Sequence, residues 1–443
     1  MQARIVKERV ETARRFGAIV GQGYEIDAGR RTTVTVERTR KSDHAYRLDI
    51  RLERDDGDCR TVFFDVESPM PVEPPTLDDP ALLVAVFPAL AHGGALHVDG
   101  EVSARLVRNV HELQAIWVRA RPDRYRPFRV TANRVVAAVR RAAGRGALMP
   151  LSGGLDSMTT LYRHTDPERP LGAATVDIEC CLFLPGFSPR ARRSDEYRAA
   201  ADRVRRIAAR KGLPVIVAET NFGDQVRWLP DPNGTLLGAA LNCFADRFSV
   251  GLIGGTTEHL NWDYPYHAST AAFDPLLSSG GMEIRDDGVE LIRDEKAAAL
   301  SHYPEALEDL VVCFEQPGFA GNCCRCEKCI RTMINFLAVG EPIPPSFPHP
   351  IDPKRVGKRL VTHVRQSQVR TTLRIARSMG VRHPILRRLR RKYLRRRLGY
   401  GARYALTWLL PGTDLLYRDH VLPRWLVRRK ARAALGAPRE NLR

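Results

Sequence analysis

Residues 1–75 alternate short apolar runs with polar ones, as in TTVTVERTR and YRLDIRLERDDGDCRTVFFDVES. A period of two puts alternate side chains on opposite faces of a strand, so this stretch predicts several antiparallel strands. From about residue 78 to 120 the period lengthens to that of a helix in two places, DDPALLVAVFPALAHGG and SARLVRNVHELQAIWVRA, around a short hairpin-like piece, GALHVDGEV. Together these predict an N-terminal α+β domain over residues 1–125. The polar stretch RPDRYRPFRVTAN (121–133), with two prolines, reads as a linker. Beyond it strands and helices alternate, the signature of an α/β domain with a parallel sheet, here spanning 134–345. Strands are expected at 147–151, 178–184, 214–219 and 249–255, with helices at 154–164, 194–212 and 235–248. In the remaining region, 350–443, apolar residues recur every three to four positions among arginines. That pattern predicts basic amphipathic helices, with Trp408 and Trp425 as candidate anchors.

Charge sharpens this division. The 443 residues carry a net charge of +19, but residues 351–443 hold 26 Lys/Arg against 4 Asp/Glu, while residues 1–350 hold 44 against 47. The basicity therefore belongs to the tail. It suits contact with anionic lipid, with RNA phosphates or with an acidic protein, or else a packed helical region with a solvated basic face. No run of about 18 uncharged apolar residues predicts a transmembrane helix, and MQARIVKERVETARRFG lacks the apolar core of a secretory signal. A cytoplasmic protein is expected, with a tail able to hold it at a membrane surface. Nine cysteines are too sparse for a disulfide scaffold, yet five of them (Cys313, Cys323, Cys324, Cys326, Cys329) crowd into seventeen positions, which reads as metal binding. The remaining Cys59, Cys180, Cys181 and Cys243 read as buried small apolar residues, and Asp65, His92 and His97 as ordinary polar ones.

The sharpest candidate chemistry is Ser152-Gly153-Gly154-Leu155-Asp156-Ser157, directly after an apolar strand and before a helical stretch. Two glycines let the backbone turn tightly and approach a ligand, and the helix start offers unpaired N–H groups and a positive dipole end to an anion. The hydroxyls of Ser152 and Ser157 add donors. Asp156 disfavours a bare phosphate and makes sense as a ligand or orienter of Mg²⁺. There is no lysine in the loop and no Walker A spacing. Farther along, Cys323, Cys326 and Cys329 form a C-x2-C-x2-C knot, and Cys313 supplies a fourth thiolate. Four thiolates suit tetrahedral Zn²⁺ in a closed, structural site, with an iron–sulfur cluster as the alternative.

The loop resembles the SGGxDS pyrophosphate loop of the N-type ATP pyrophosphatases, the PP-loop family that includes asparagine synthetase, GMP synthetase, NAD synthetase and 7-cyano-7-deazaguanine synthase. The resemblance covers roughly residues 145–340. It implies a sheet of adenine nucleotide alpha hydrolase-like (PP-loop) type and a loop that grips the β- and γ-phosphates of ATP. The substrate's oxygen would attack the α-phosphate, giving an adenylate and pyrophosphate. Gly254-Gly255-Thr256-Thr257-Glu258-His259-Leu260 is similar to the asparagine synthetase segment in which glycines precede an acidic Mg²⁺ ligand. That puts Glu258 in the metal position, with Glu where Asp is usual; an ordinary acid at a helix start is the alternative. Lys296, in Arg293-Asp294-Glu295-Lys296, matches a lysine that in related enzymes reaches the nucleotide phosphates, where it would offset the charge of departing pyrophosphate. A solvated basic position is its alternative. The cysteine spacing resembles the four-cysteine zinc site of 7-cyano-7-deazaguanine synthase, with Cys324 where glycine is usual. Cys324 is then either a bystander or a replacement ligand.

The resemblance implies ATP-dependent adenylation of a carboxylate, or of an amide or carbonyl oxygen, followed by attack of ammonia or an amine to give an amide or nitrile. Asp156, Lys296 and Glu258 would be catalytic, and ATP, Mg²⁺ and structural Zn²⁺ the cofactors. Position 2 is Gln2 and the first cysteine is Cys59, so no glutaminase cysteine at the N-terminus is expected. Nitrogen would come from ammonia, an amine or a partner protein. Two other functions stay open: a tRNA-modifying ATPase that holds RNA with its basic tail, and a non-catalytic nucleotide-binding scaffold at a membrane or complex.

Overall fold

Alternate residues of β2 (Ala45–Arg54), β3 (Cys59–Glu67) and the first half of β1 (Arg31–Ser42) are buried. The three strands form an antiparallel meander in which Val34 faces Leu52 and Leu48 faces Phe64. The computed structural model describes residues 26–27, 29–137, 146–169, 171–185, 194–225, 231–255, 269–313, 315–316, 321–360 and 366–409. These described residues form ten strands and twelve helices.

After the meander come α1 (Asp79–His92), β4 (Gly94–Ser103), α2 (Ala104–Ala120) and β5 (Phe128–Val136). β4 pairs parallel with β1, and β5 parallel with β4. GALHVDGEV is therefore part of one strand and not a hairpin. The linker expected over 121–133 is instead a short turn followed by β5. Pro122 and Pro127 bracket only the turn, and buried Phe128 then starts the strand by donating its N–H to the Gln114 side chain at 2.9 Å.

Strand and helix then alternate as expected: β6 (Ala147–Pro150), α3 (Leu155–Thr165), β7 (Ile178–Phe183), α4 (Ser194–Ala209), β8 (Val215–Thr220), the short α5 (Phe222–Gln225), α6 (Asn233–Asn242) and β9 (Val250–Gly254). β10 (Glu283–Asp287) has the polar sequence EIRDD and carries no apolar run to predict it. These last five strands are mutually parallel in the order β10-β9-β6-β7-β8. β8 also pairs antiparallel with β3, placing Asp65 opposite Glu219, so one mostly parallel sheet continues through β3-β2-β1-β4-β5.

Successive residues of the parallel strands feed opposite cores. Leu148, Cys180, Leu182, Ile216 and Ile253 join the core that includes residues of α1, α2 and α6, while Met149, Cys181, Phe183, Val215 and Leu252 join the core of α3 and α4. This is the double-sided burial that apolar parallel strands require. Cys180, Cys181 and Cys243 are buried, as read from the sequence; Cys59 is not, because it starts β3 with its side chain exposed.

The chain ends its described course in α7 (Arg293–Leu300), α8 (Pro304–Asp309), α9 (Glu327–Ala338), α10 (Pro353–Leu360), α11 (Gln366–Ser378) and α12 (Pro384–Leu409). Val356, Val369, Leu386 and Leu389 enter the same core as α3, so this part of the basic region packs on the body. Trp425 lies outside the described residues. No helix among those described is long and apolar enough to cross a membrane.

Candidate functional site

β6 ends at Pro150 and α3 begins at Leu155, leaving Ser152, Gly153 and Gly154 as the turn between them. In the sheet, β7 flanks β6 on one side and β9 on the other. The chain thus winds away in one direction and later returns on the opposite edge, and ligands of open α/β sheets gather at the carboxyl end of such a switch point. Gly153 has φ +75, a left-handed conformation that disfavours any side chain. Its carbonyl accepts the Val311 N–H at 2.9 Å, which ties the turn to the segment after α8. Ser152 Oγ lies 3.2 Å from Ser157 Oγ, and Ser157 Oγ donates to the Gly154 carbonyl at 3.2 Å. The first helical bond of α3 is Met158 N–H to Gly154 O, so the N–H groups ahead of it have no partner within the helix.

A cavity of about 350 Å³ opens here, lined by Ser152, Gly154, Asp156 and Ser157 together with Gly254 at the end of β9. Leu182, Leu237 and Ile253 give it an apolar wall, and Arg293 and Lys328 supply cations. The approach of β9 to α3 is close: a Cβ on Gly254 would sit 3.0 Å from the backbone carbonyl of Asp156. Gly254→Ala is expected to force the two elements apart and lower stability by about 1–3 kcal/mol, read as a shifted denaturation midpoint.

Asp156 is the electrostatic centre of the site. Arg293 Nη1 donates to its Oδ2 at 2.6 Å, and Lys296 Nζ lies 3.5 Å from its Oδ1. Burial alone would raise the Asp156 pKa, but Arg293 and Lys296 outweigh it and hold the carboxyl below its usual range. Burial in turn lowers the Lys296 pKa, with Asp156 opposing that shift. Lys296 is only 1% exposed and also donates to the Gly255 carbonyl, so the solvated alternative for this residue is wrong. The apolar face of a short helix carries it inward. Asp156 Oδ1 is buried and accepts no hydrogen bond. Glu258 lies outside the described residues.

Two features of the site have only partial sequence signals. Arg293 shares the start of α7 with Lys296, one helical turn away, and its pairing with Asp156 depends on a contact 137 residues apart in the chain. His164, at the far end of α3, accepts the Val176 N–H on Nδ1 at 3.0 Å, so Nε2 carries the proton it shares with Asp287 of β10 at 3.0 Å. Thr160 Oγ1 donates to the same carboxylate at 2.8 Å. These bonds fix the helix whose first turn holds Asp156.

Beside the cavity, the Sγ atoms of Cys313, Cys323, Cys326 and Cys329 are buried and all lie within 4.8 Å of one another. Cys313 is 3.8 Å from Cys326, and Cys323 is 4.0 Å from Cys329. A tetrahedron with metal–sulfur bonds of about 2.3 Å has edges of about 3.8 Å, so this cluster could hold a metal ion such as zinc. Backbone N–H groups point at two of the sulfurs: Arg325 and Cys326 donate to Cys323 Sγ at 3.4 and 3.2 Å, and Cys329 to Cys326 Sγ at 3.3 Å. The hydrogen bond from the Cys329 side chain lowers the Cys326 pKa. Cys324 stands apart, with φ +55 and its Sγ directed to the Asn322 carbonyl at 3.6 Å; it is the bystander. Asn322, unremarked in the sequence, clamps the site by donating to Leu310 O at 2.7 Å and accepting from Val312 N at 2.9 Å.

No protein-family model, no curated protein and no solved structure matches this chain.

Proposed function

We propose that this chain is a PP-loop ATP pyrophosphatase that activates a carboxylate, or an amide or carbonyl oxygen, by adenylation and passes it to ammonia or an amine. The observation that carries this reading is the Ser152–Ser157 turn at the switch point of the parallel sheet, with a cavity against it and cations around Asp156. Loop N–H groups and the two serine hydroxyls would hold the phosphates of ATP, and the apolar wall suits an adenine base. An acceptor oxygen bonds to the α-phosphorus as the bond to the bridging oxygen breaks, and pyrophosphate leaves with the electron pair. The nitrogen nucleophile then attacks the acyl carbon, and AMP departs. Arg293 and Lys296 offset the negative charge that builds on the leaving group.

Asp156 Oδ1, buried without a hydrogen bond, fits a Mg²⁺ ligand, and the ion when bound would screen the phosphates. Zinc is our reading of the cysteine cluster, because sulfurs this close surround one ion, whereas a cubane cluster binds one thiolate at each iron. With ¹⁸O-labelled carboxylic acids and ammonium, one label is expected in the phosphate of AMP. Unlabelled AMP formed at the same rate would mean that water attacks, and the adenylation reading would fail.

A tRNA-modifying enzyme with the same activation step is the second reading, favoured by α12, whose residues 384–409 include nine Lys/Arg and no Asp/Glu. Binding through many phosphates weakens steeply with salt. A tRNA affinity that changes less than about tenfold between 50 and 200 mM salt would count against it.

A further inference from the structure

A second cavity, of about 400 Å³, lies between α7, α9 and α11. It adjoins the first, because Arg293 lines both and donates to Asp156. Its acids are already engaged. Glu327 pairs with Arg331 at 3.2 Å, and Glu290 with Arg163 at 2.7 Å. Asp294 accepts from Asn335 at 2.9 Å and from Thr372 at 3.0 Å, and Glu295 accepts the Ile292 N–H at 2.9 Å. By contrast Arg370 and Arg374, four residues apart on α11 and exposed in the cavity wall, make no ion pair among the described residues. The remaining lining includes Ile334, Leu360 and Leu389, which are apolar.

We infer that this cavity binds a small organic anion, with Arg370 and Arg374 holding a carboxylate or phosphate and the apolar residues holding its carbon body. Two guanidinium groups at i and i+4 stand on one face of a helix, and the planar fork of each matches an oxyanion. A bare inorganic ion would leave the apolar wall unused. That the anion is the acceptor activated next door rests on the adenylation reading; that the cavity binds it does not. The acceptor would then carry a second anionic group, and Arg293 would separate that group from the nucleotide.

The test uses the full chain, titrated calorimetrically with phthalate, with its neutral diamide and with inorganic phosphate. Phthalate is expected to bind, the diamide not to, and phosphate to bind more weakly than phthalate. Arg370→Ala/Arg374→Ala should weaken phthalate by about 10- to 100-fold, the cost of lost charge-assisted hydrogen bonds. Arg377→Ala, on the exposed end of the same helix, should leave it unchanged, and ATP affinity should not move in either variant. Absence of phthalate binding to the wild-type chain at millimolar concentration, or binding untouched by the double substitution, overturns the inference. AMP formation without arginine-dependent anion binding also overturns it and leaves the proposed function standing. Arginine-dependent binding in a protein that forms no AMP supports the site and sinks the adenylation reading.

Discussion

Replacing Cys326 by serine is expected to remove a bound metal ion and to lower the melting temperature by more than about 10 °C. The size follows from the energetics of closed thiolate sites, where metal binding supplies about 10–16 kcal/mol, as much as the whole stability of an ordinary domain. Cys326 is both a member of the cluster and the N-cap of α9, so its loss also frees the first turn of that helix. The effect should reach the turn at Ser152–Ser157. Cys313 is two residues from Val311, whose N–H holds the Gly153 carbonyl at 2.9 Å, so a metal bound by the cysteines would order the segment that pins the turn. Elemental analysis should find one zinc per chain in the wild type and none in Cys326→Ser, with ATP affinity falling in parallel. Cys324→Ser is the control: its sulfur is outside the cluster, and metal content should be unchanged. A metal-free wild type that melts at the same temperature would contradict this account of the cysteines.

Asp156→Ala is expected to reduce ATP turnover by roughly 100- to 1000-fold, the cost of losing one group that organises charge in a transition state. It should also cost about 2–4 kcal/mol of stability, because Lys296, 1% exposed, and Arg293 lose their anion. Asp156→Asn separates the two effects. Its amide oxygen still accepts from Arg293, so part of the stability should return, while turnover should not. The pH dependence has a definite sign. The Asp156 pKa is lowered on folding, so its contribution is fully present above the unfolded carboxylate value of about 3.9 and is lost as pH falls through the lower folded value. Acid unfolding followed by circular dichroism should therefore be less steep in Asp156→Asn than in the wild type.

Those residues of the fold and site that depend on local pattern are legible in the sequence. β6, β7, β8 and β9 follow from apolar runs, and the turn after β6 from its glycines. The cysteine cluster follows from spacing, but the sequence leaves Cys324 open as bystander or replacement ligand, and only its left-handed backbone and its distance from the other sulfurs set it aside. What needs long-range pairing is not legible. β10 is polar and gives no apolar run: its Asp287 serves another element, accepting from Thr160 and from His164, and its Glu283 pairs with Arg285 of the same strand. β5 looks like a linker because two prolines dominate its approach. The union of both halves into one sheet depends on β3 meeting β8, a pairing between strands about 150 residues apart that no local window contains. Arg293 reads as one more charged residue until Asp156 is placed beside it.

The products formed from ATP test the central claim most directly. Wild-type protein supplied with Mg²⁺, pooled carboxylic acids and ammonium should yield AMP and pyrophosphate in equal amounts by ³¹P NMR, and Asp156→Ala should yield both at least about 100-fold more slowly. Formation of ADP and phosphate instead, or no turnover with small acids or with added tRNA, would contradict the claim that this loop positions ATP for attack at the α-phosphate.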